Sequence, residues 1–271
     1  MREVQAKIEE LLKRGSANNA EGEKLRAMHL EVAEDITEEE LEAYLAQAKK
    51  GTAPGISGVP IEMWWYAPKT AKAKLCKILN MVLNGDAVPE LWKHRVIRPL
   101  AKTETAVGLS DIRPITLLEV SQKILTGILT QRLGAVWNLE GMLASTQMAF
   151  LQGRGCYQSI ERLRGVMMDS KHTKRACHML FLDLAKAYDS VEYWAMEDAM
   201  IGMGVPPKVV DVMRKLDVNA QAQVLMGKGT RTKWIPLGRG APQGEVMPPL
   251  RFIVWMNLLH AGNHQQLEGG L

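Results

Sequence analysis

The most constraining feature of this sequence is a short apolar segment, HMLFLDL at residues 178–184, which contains one carboxylate, Asp183. A short run of apolar residues is typical of a buried strand, so we expect a central strand packed among helices, with Asp183 near its end. An ionised carboxylate among apolar neighbours is unfavourable unless something compensates its charge, and a divalent metal is the usual partner. The residues leave two interpretations: Asp183 binds a metal, or it is a strand-end carboxylate that reaches solvent.

The residues that follow, AYDSVE, have the composition of a strand-to-helix turn. Asp189 and Glu192 have the spacing of a capping box, in which two side chains satisfy free backbone amides at the start of a helix. We therefore expect Asp189 to cap the next helix rather than to take part in chemistry. Tyr188 lies at the turn, where its ring could fill the core or form one wall of a pocket.

The rest of the pattern predicts more helices than strands. Residues 51–60, GTAPGISGVP, are rich in glycine and proline and form a boundary loop. Thr37, followed by three glutamates, begins a capping box. Helical spacing predicts helices within residues 1–50 and at 68–83, 120–137, 156–169 and 247–260. Strands are predicted at RVIRPLAK and DIRPITLL, with a hairpin at QAQVLMG and TRTKWIPL. We expect an α+β fold, helix-rich with a small antiparallel sheet.

The net charge of +4 is too small to identify a partner, but its distribution is uneven. Residues 69–132 carry 11 Lys or Arg against 5 Asp or Glu, whereas residues 1–68 carry 8 against 13. A concentrated basic stretch is typical of nucleic-acid binding, although a solvated helix face produces the same count. Lys102 and Arg113 lie on or beside the two predicted strands, where they are either phosphate donors or solvated cations.

Cysteine usage and hydropathy indicate the surroundings of the protein. The three cysteines, Cys76, Cys156 and Cys177, match neither a zinc site nor a disulfide framework, so we expect buried thiols in a reducing compartment. Residues 1–15 lack the apolar core of a signal peptide, and no apolar run approaches the length of a membrane span. We therefore expect a soluble, intracellular protein with no membrane partner.

A glycine-rich loop, GRGAPQGEVMPP, joins the predicted hairpin to the last helix. It places Gln243 and Gly244 after two other glycines, in a setting where backbone can approach a ligand closely. Glycines in a loop are weak evidence alone, so this site depends on what surrounds it.

In this order, the segments resemble the reverse transcriptases of non-LTR retrotransposons, over residues from about 45 to 260. KKGTAPGISGVPIEMW resembles the first motif of that family, RVIRPLAK with DIRPITLLEVSQKILTGILTQRL resembles the fingers motif, and QMAFLQGRG resembles the next block. FLDLAKAYDSV resembles the palm strand with the first catalytic carboxylate, and PQG resembles the start of the substrate-facing helix. Each motif is weak singly, and their order makes the resemblance specific.

The resemblance implies right-hand polymerase-type fingers and a partial palm. It divides the chain into an N-terminal helical extension (1–50), a fingers-like region (51–170) and a partial palm (171–271). The implied reaction is RNA-templated DNA synthesis on RNA or an RNA/DNA hybrid. In that reaction two Mg²⁺ ions held by palm aspartates align a primer hydroxyl with the incoming nucleotide.

The resemblance also assigns roles to individual residues. Asp183 matches the catalytic carboxylate and metal ligand, and Tyr188 matches the position that screens the sugar 2′-hydroxyl. The other matched positions contact the incoming triphosphate (Lys102, Arg113), the nucleotide and template (Gln243, Gly244) or the template region (Gln147, Arg154). Four of these residues are expected to converge on one cleft: Lys102, Arg113, Asp183 and Gln243.

The sequence departs from the family pattern at several positions. Ser57 stands where the first motif usually has Asp, Ala149 where the next block usually has Gly, and EVMPPLR replaces the expected CPLSPLL. No segment resembles the aromatic-Ala-Asp-Asp turn that supplies the second pair of carboxylates, so we expect a truncated domain that is inactive as an isolated chain. Two hypotheses follow: a reverse transcriptase domain completed elsewhere, or a repurposed non-catalytic component that binds RNA or a ribonucleoprotein.

Overall fold

The computed structural model describes residues 32–105, 108, 111–139, 143–144, 146–151, 153–184, 187–242, 244 and 247–268. The helical structure predicted before residue 32, and the role assigned to Gln243, lie outside these residues. The described α-helices are α1 (Glu38–Gln47), α2 (Ile61–Trp65), α3 (Lys69–Leu83), α4 (Val120–Leu139), α5 (Cys156–Thr173), α6 (Ala187–Ser190), α7 (Tyr193–Gly202), α8 (Pro207–Asp217) and α9 (Met247–Glu268). The strands are β1 (His94–Ala101), β2 (Ile112–Leu117), β3 (Gln221–Val224) and β4 (Ile235–Pro236). The predicted long helices after the boundary loop, both basic strands and the hairpin are confirmed.

The four strands form one mixed sheet in the order β2-β1-β3-β4. β1 pairs antiparallel with β2, with Val96 opposite Leu117, and parallel with β3, with His94 opposite Gln221. β3 pairs antiparallel with β4. The prediction of a purely antiparallel sheet was wrong, because the helices between β2 and β3 return the chain before β3 begins. A crossover through helices joins parallel strands.

Helix α1 begins at its predicted cap. The Thr37 hydroxyl accepts a hydrogen bond of 3.1 Å from the backbone N–H of Glu40, and Leu41 and Leu45 are buried. A capping box would turn the Glu40 carboxylate back to the cap, but this carboxylate accepts hydrogen bonds from Arg132 of α4 instead. The Thr37 half of the predicted capping box is therefore confirmed, whereas the Glu40 carboxylate connects α1 to α4.

Helix α4 lies at the centre of the core. Its apolar residues Ile124, Leu125 and Leu129 are fully buried. Gly127 allows α1 to come close, because a Cβ at this position would overlap the ring of Tyr44. The Tyr44 hydroxyl in turn donates a hydrogen bond of 3.3 Å to the Lys123 carbonyl. These contacts hold the first part of the described chain against α4.

Helix α9 closes the core from the C-terminal side. It packs against α7 and α4 and buries Met247, Leu250, Ile253 and Val254. Within the part of the chain that the structure describes, no helix is both long enough and apolar enough to cross a membrane.

The apolar segment 178–184 is not a strand. Its backbone is irregular, and Leu180, Phe181 and Leu182 are 82%, 78% and 84% exposed. Helix α5, which precedes it, buries none of its residues. The prediction of a packed central strand was wrong, because a strand needs a neighbour for its backbone hydrogen bonds and no described strand pairs with this segment.

Asp189 does not cap the following helix. It lies in the one-turn helix α6, and α7 begins at Tyr193 with Glu192 in the cap position, without a side-chain capping hydrogen bond. The backbone amides of Gly240 and Ala241 donate to the carbonyls of Val191 and Tyr188. The prediction of an Asp189 cap was wrong, because the next helix begins at Tyr193 and its cap position therefore falls at Glu192, three residues after Asp189.

The cysteines differ in their burial. Cys76 is buried, where its thiol donates to the Ile36 carbonyl at 3.0 Å, and burial raises its pKa. Cys156 and Cys177 are exposed. The expectation of buried thiols was therefore confirmed for Cys76 and wrong for the other two, because both of these lie on the uncovered part of the chain that includes α5.

Candidate functional site

A cleft of about 120 Å³ lies between the sheet and the loop that leads to α9. β1 contributes Arg95 and Ile97, and β2 contributes Pro114 and Thr116. The loop at residues 237–242 and the side of Asp189 form the remaining wall. This cleft therefore joins four segments that are far apart in sequence, including three of the motifs that the sequence pattern singled out.

The glycine-rich loop contacts the turn that follows residue 184. Gly240 has a φ of 88°, and a Cβ there would lie 3.1 Å from the Asp189 Cα. Its amide donates to the Val191 carbonyl at 2.9 Å, and the Ala241 amide donates to the Tyr188 carbonyl at 2.8 Å. Only a residue without a side chain lets the two backbones approach this closely.

Gly244 lies against the outer edge of β2. Its φ is 112°, and a Cβ there would lie 2.9 Å from the Thr116 carbonyl oxygen and 3.4 Å from Ile115 Cγ2. The glycines predicted that the loop backbone could approach a ligand closely. In the structure, the backbone at Gly244 approaches strand β2 of the same chain. The loop is held at one end by α6 and at the other by β2, which gives the cleft its shape.

The opposite side of the β1–β2 hairpin is basic. Side chains alternate between the two faces of a strand, so Arg113 and Ile115 lie opposite to the cleft residues Pro114 and Thr116. Arg98 pairs with Ile115 and is exposed, as is Arg113. Lys102 follows β1 directly, and its amide donates to the Asp111 carbonyl at 2.8 Å. We call Arg98, Lys102 and Arg113 the basic face; the sequence pattern had singled out only the last two of them.

Asp183 and Tyr188 have different environments. Asp183 is exposed on the irregular segment and is not among the residues that line the cleft. Tyr188 is half-buried, with its ring 5.2 Å from that of Phe252, and burial raises its pKa. Of the two interpretations of this tyrosine, packing against the core is the one that its contacts support. Convergence of Lys102, Arg113, Asp183 and Gln243 stays a prediction, because Gln243 lies outside the described residues.

The described residues do not assemble a metal site. Within them, no group of three or more His, Cys, Asp and Glu side chains could hold a metal ion. Asp183 alone provides one carboxylate, whereas Mg²⁺ is usually held by carboxylates together with substrate phosphates and water. The described donor set therefore does not fit a complete two-metal centre.

Gln147 and Arg154 belong to one local loop. The Arg154 guanidinium donates to the Gln147 carbonyl at 3.0 Å, and the Gln147 side-chain amide donates to the Ala149 carbonyl at 3.2 Å. Both side chains are half-buried. Their hydrogen bonds close the loop before α5, and the template contact that was assigned to them stays a prediction.

The boundary loop is held by a carboxylate from another element. The Ser57 amide and hydroxyl both donate to Glu119, at 2.8 and 2.6 Å. Gly55 is required here, because a Cβ would lie 2.6 Å from the Glu119 amide nitrogen. At the position where the family motif usually has Asp, Ser57 thus donates its hydroxyl to a carboxylate supplied by Glu119.

A buried group of charges behind the cleft was not predicted. Asp217 of α8 pairs with Arg95 of β1 at 3.1 Å and with Arg251 of α9 at 2.8 Å, and all three are at least 94% buried. We call these residues the buried triad. The departure EVMPPLR, which places Arg251 in an apolar helix, was the one available signal, because a charge in such a helix needs a partner.

Comparisons with known proteins point to the same family that the motifs indicated. The model of the reverse transcriptase (RNA-dependent DNA polymerase) family matches residues 100–268. A Pol polyprotein of the type-2 retrotransposable element R2DM from Drosophila melanogaster is 27% identical over 256 residues, which is 92% of this chain and 23% of the relative. A Pol polyprotein of the type-1 retrotransposable element R2 from Nasonia vitripennis is 24% identical over 76% of the chain and 19% of the relative. A probable RNA-directed DNA polymerase from the Drosophila melanogaster transposon BS is 26% identical over 75% of the chain and 22% of the relative. The chain thus spans roughly a fifth to a quarter of these relatives.

Proposed function

This chain belongs to the reverse transcriptase (RNA-dependent DNA polymerase) family, and we propose that it forms the fingers and part of the palm of a non-LTR retrotransposon polymerase. In this proposal residues 51–170 belong to the fingers and 171–271 to the palm, with 1–50 as an extension. The substrates are an RNA template, or an RNA/DNA hybrid, and a deoxynucleoside triphosphate. We propose that polymerisation takes place in a longer protein that contains this chain, because the chain spans only roughly a fifth to a quarter of its relatives.

One observation carries the proposal. The loop at residues 238–244 contacts α6 through Gly240 and β2 through Gly244. It thereby joins the segment that matches the palm carboxylate motif to the strand that matches the fingers motif. A polymerase site composed of separate motifs requires these segments to meet. They are far apart in sequence, so proximity along the chain does not account for the contact.

Within this proposal the basic face has a defined role. Arg98, Lys102 and Arg113 supply cationic donors for phosphate oxygens, either of the incoming triphosphate or of the template backbone. Asp183 is proposed as the metal-binding carboxylate, Tyr188 as the residue beside the nucleotide sugar, and Gln243 with Gly244 as nucleotide and template contacts. When bound, Mg²⁺ would align the primer hydroxyl with the triphosphate. The described residues do not complete its site.

A second function rests on a different observation. The basic face is exposed and does not depend on any metal ligand. A chain that keeps this face can bind RNA, alone or in a ribonucleoprotein, without catalysis. Under this alternative Asp183 is a solvated carboxylate.

An RNA-binding titration tests what both functions share. We expect the chain to bind single-stranded RNA with an affinity that falls as salt rises, because each neutralised phosphate releases counterions. Changing Arg98, Lys102 and Arg113 to Ala should reduce the slope of log K against log salt by about 2, at ~0.7 per contact. The matched control changes Lys69, Lys74 and Lys77, which are exposed on α3, to Ala and should leave the slope nearly unchanged.

Primer extension on an RNA template separates the two functions. The assay uses a longer protein that contains this chain, because the isolated chain is expected not to extend a primer under either function. Extension that Asp183→Asn abolishes would support the polymerase, and RNA binding by the longer protein without extension would favour the alternative. Equal loss of slope in both lysine and arginine triple variants would show that binding follows total charge, and the assignment of the basic face would be lost.

A further inference from the structure

A second cavity, of about 320 Å³, lies between α7, α8 and α9, on the other side of the buried triad from the cleft. Its walls are largely apolar, with Met200 from α7 and Val210 and Met213 from α8. Trp194 and Val218 lie at its rim, where both side chains are exposed. A volume of this size is in the range of small-molecule sites, so the cavity can hold a ligand with an apolar body.

The polar end of the cavity is formed by the buried triad and Tyr193. Asp217 and Arg251 line the cavity, and Arg95 lies behind them against Asp217. The Nε atoms of Arg95 and Arg251 are buried without a hydrogen-bond partner, and the Tyr193 hydroxyl has none besides the nearby guanidinium of Arg95. Asp217 Oδ2 lies 2.8 Å from the Arg251 guanidinium but accepts no hydrogen bond. Buried donors without partners are rare in folded proteins, and these donors lie at or beside one end of one cavity.

The other charges around the cavity pair with one another. Arg214 and Lys215 both bind Asp211, and Arg214 also lies 3.9 Å from Glu197. Glu192 at the rim lies 3.8 Å from Arg239. The buried triad is left with two guanidinium groups against one carboxylate, which is one excess positive charge in a buried place.

Glu197 also lines the cavity, and its carboxylate lies 3.9 Å from Arg214. It is half-buried, and burial raises the pKa of its carboxyl, although Arg214 and Arg251 oppose this shift. A buried charge without compensation is costly, and a ligand carboxylate would provide the compensation together with acceptors for the unpartnered donors.

We propose that this cavity binds a small organic monocarboxylate. Its apolar body, the size of an aromatic ring, lies between Met200, Val210 and Met213, and its carboxylate accepts hydrogen bonds from Arg251 and Tyr193. The binding site is separate from the cleft and does not rest on the proposed polymerase function. Arg95 connects the two places, since it lines the cleft and pairs with Asp217, which lines the cavity.

The test is a titration of the full chain, labelled with ¹³C at its methionine methyl groups, with three probes of similar shape. Phenylacetate carries a carboxylate, phenylacetamide is neutral, and 2-phenylethylamine is a cation. We expect saturable shifts of the Met200 and Met213 methyl signals with phenylacetate, weaker binding of phenylacetamide by about tenfold, and no saturable binding of the amine. Signals are assigned with Met200→Leu and Met213→Leu.

Three variants locate the probe. Tyr193→Phe removes one donor, and Arg251→Leu removes the excess charge while leaving Arg95 and Asp217 as a matched pair. Each should weaken phenylacetate by about tenfold. Val218→Phe places a large side chain at the rim, where Val218 is exposed, and should hinder entry, whereas Val218→Ala should not.

Several results would overturn the proposal. Equal affinity for phenylacetate and phenylacetamide would show that the excess charge does not select the ligand. Unchanged phenylacetate affinity in Tyr193→Phe would show that the ligand carboxylate does not bind at the polar end of the cavity. Absence of methyl shifts with every probe would show that the cavity takes no ligand of this class.

Discussion

Single residues without large side chains hold the cleft together. The two ends of the loop before α9 depend on Gly240 and Gly244, each with a positive φ and each in contact with backbone from another element. Any larger residue at Gly244 meets both a strained backbone conformation and the Thr116 carbonyl. Asp217 is the opposite case, because its side chain is essential: it lies between two buried guanidinium groups, and losing it would leave both without a counter-charge.

At this scale we predict that Gly244→Ala lowers the free energy of unfolding by about 1–3 kcal/mol, since the new Cβ lies too close to a strand carbonyl and φ is unfavourable. Urea denaturation monitored by circular dichroism measures the change. Gly238→Ala is the matched control in the same loop, because a Cβ there meets nothing within 4 Å and its φ is not in the left-handed region. A loss at Gly238 as large as that at Gly244 would contradict the steric explanation.

The β1–β2 hairpin and helix α1 each make two different kinds of contact. The β1–β2 hairpin presents Arg95, Ile97, Pro114 and Thr116 to the cleft, and the alternation of side chains sends the basic face outward. Helix α1 uses its first turn in two ways as well, with the cap at Thr37 and the tie from Glu40 to Arg132. The beginning of α1 therefore depends on a local bond and a distant one.

For α1 we predict that Thr37→Ala lowers the free energy of unfolding by about 1 kcal/mol, because the Glu40 amide loses its acceptor. Thr37→Ser keeps the hydroxyl and should lose much less. Thermal unfolding of the three proteins decides the point. If Ser and Ala variants unfold together well below the original protein, the methyl group rather than the cap is the stabilising part.

The molecule as a whole has a packed part and an uncovered part. One core runs from Val32 to Val254, through α1, α3, α4, α8 and α9. In contrast, α5 buries no residue, and the segment 178–184 that follows exposes a row of large apolar side chains. Contiguous exposed apolar surface of this kind favours association, because burying it is worth roughly 25 cal/mol per Å².

We predict that the chain self-associates in solution and that changing Phe181 and Leu182 together to Ser reduces this association without lowering the unfolding temperature. Neither side chain is packed in the described structure, so no core contact is lost. Analytical ultracentrifugation over a concentration series measures the effect. Tyr66→Ser, which changes an exposed aromatic residue outside this surface, is the control. A double variant that associates as strongly as the original chain would show that this segment is not the contact.

Much of the secondary structure was determined by the sequence alone. Periodic apolar residues, the Thr37 cap and the boundary loop are local signals, and the helices α1, α3, α4 and α9 and the strands β1 and β2 lie where these signals predict. The order of the motifs also indicated the family, which the match over residues 100–268 shows. Local patterns succeed here because backbone hydrogen bonding and one buried face decide whether a helix forms.

Only the tertiary structure decided the parallel pairing of β1 with β3, the position of Asp189 on the cleft, the shared carboxylate of Glu119 and the buried triad. It also decided that the most apolar segment, at 178–184, is uncovered. An apolar pattern shows that a segment can be buried, but a strand forms only where another strand accepts its hydrogen bonds. Likewise, a buried charge needs a partner of opposite charge, and the partner of Arg95 is Asp217, more than a hundred residues away in sequence. These features depend on contacts between distant residues, and no local pattern contains them.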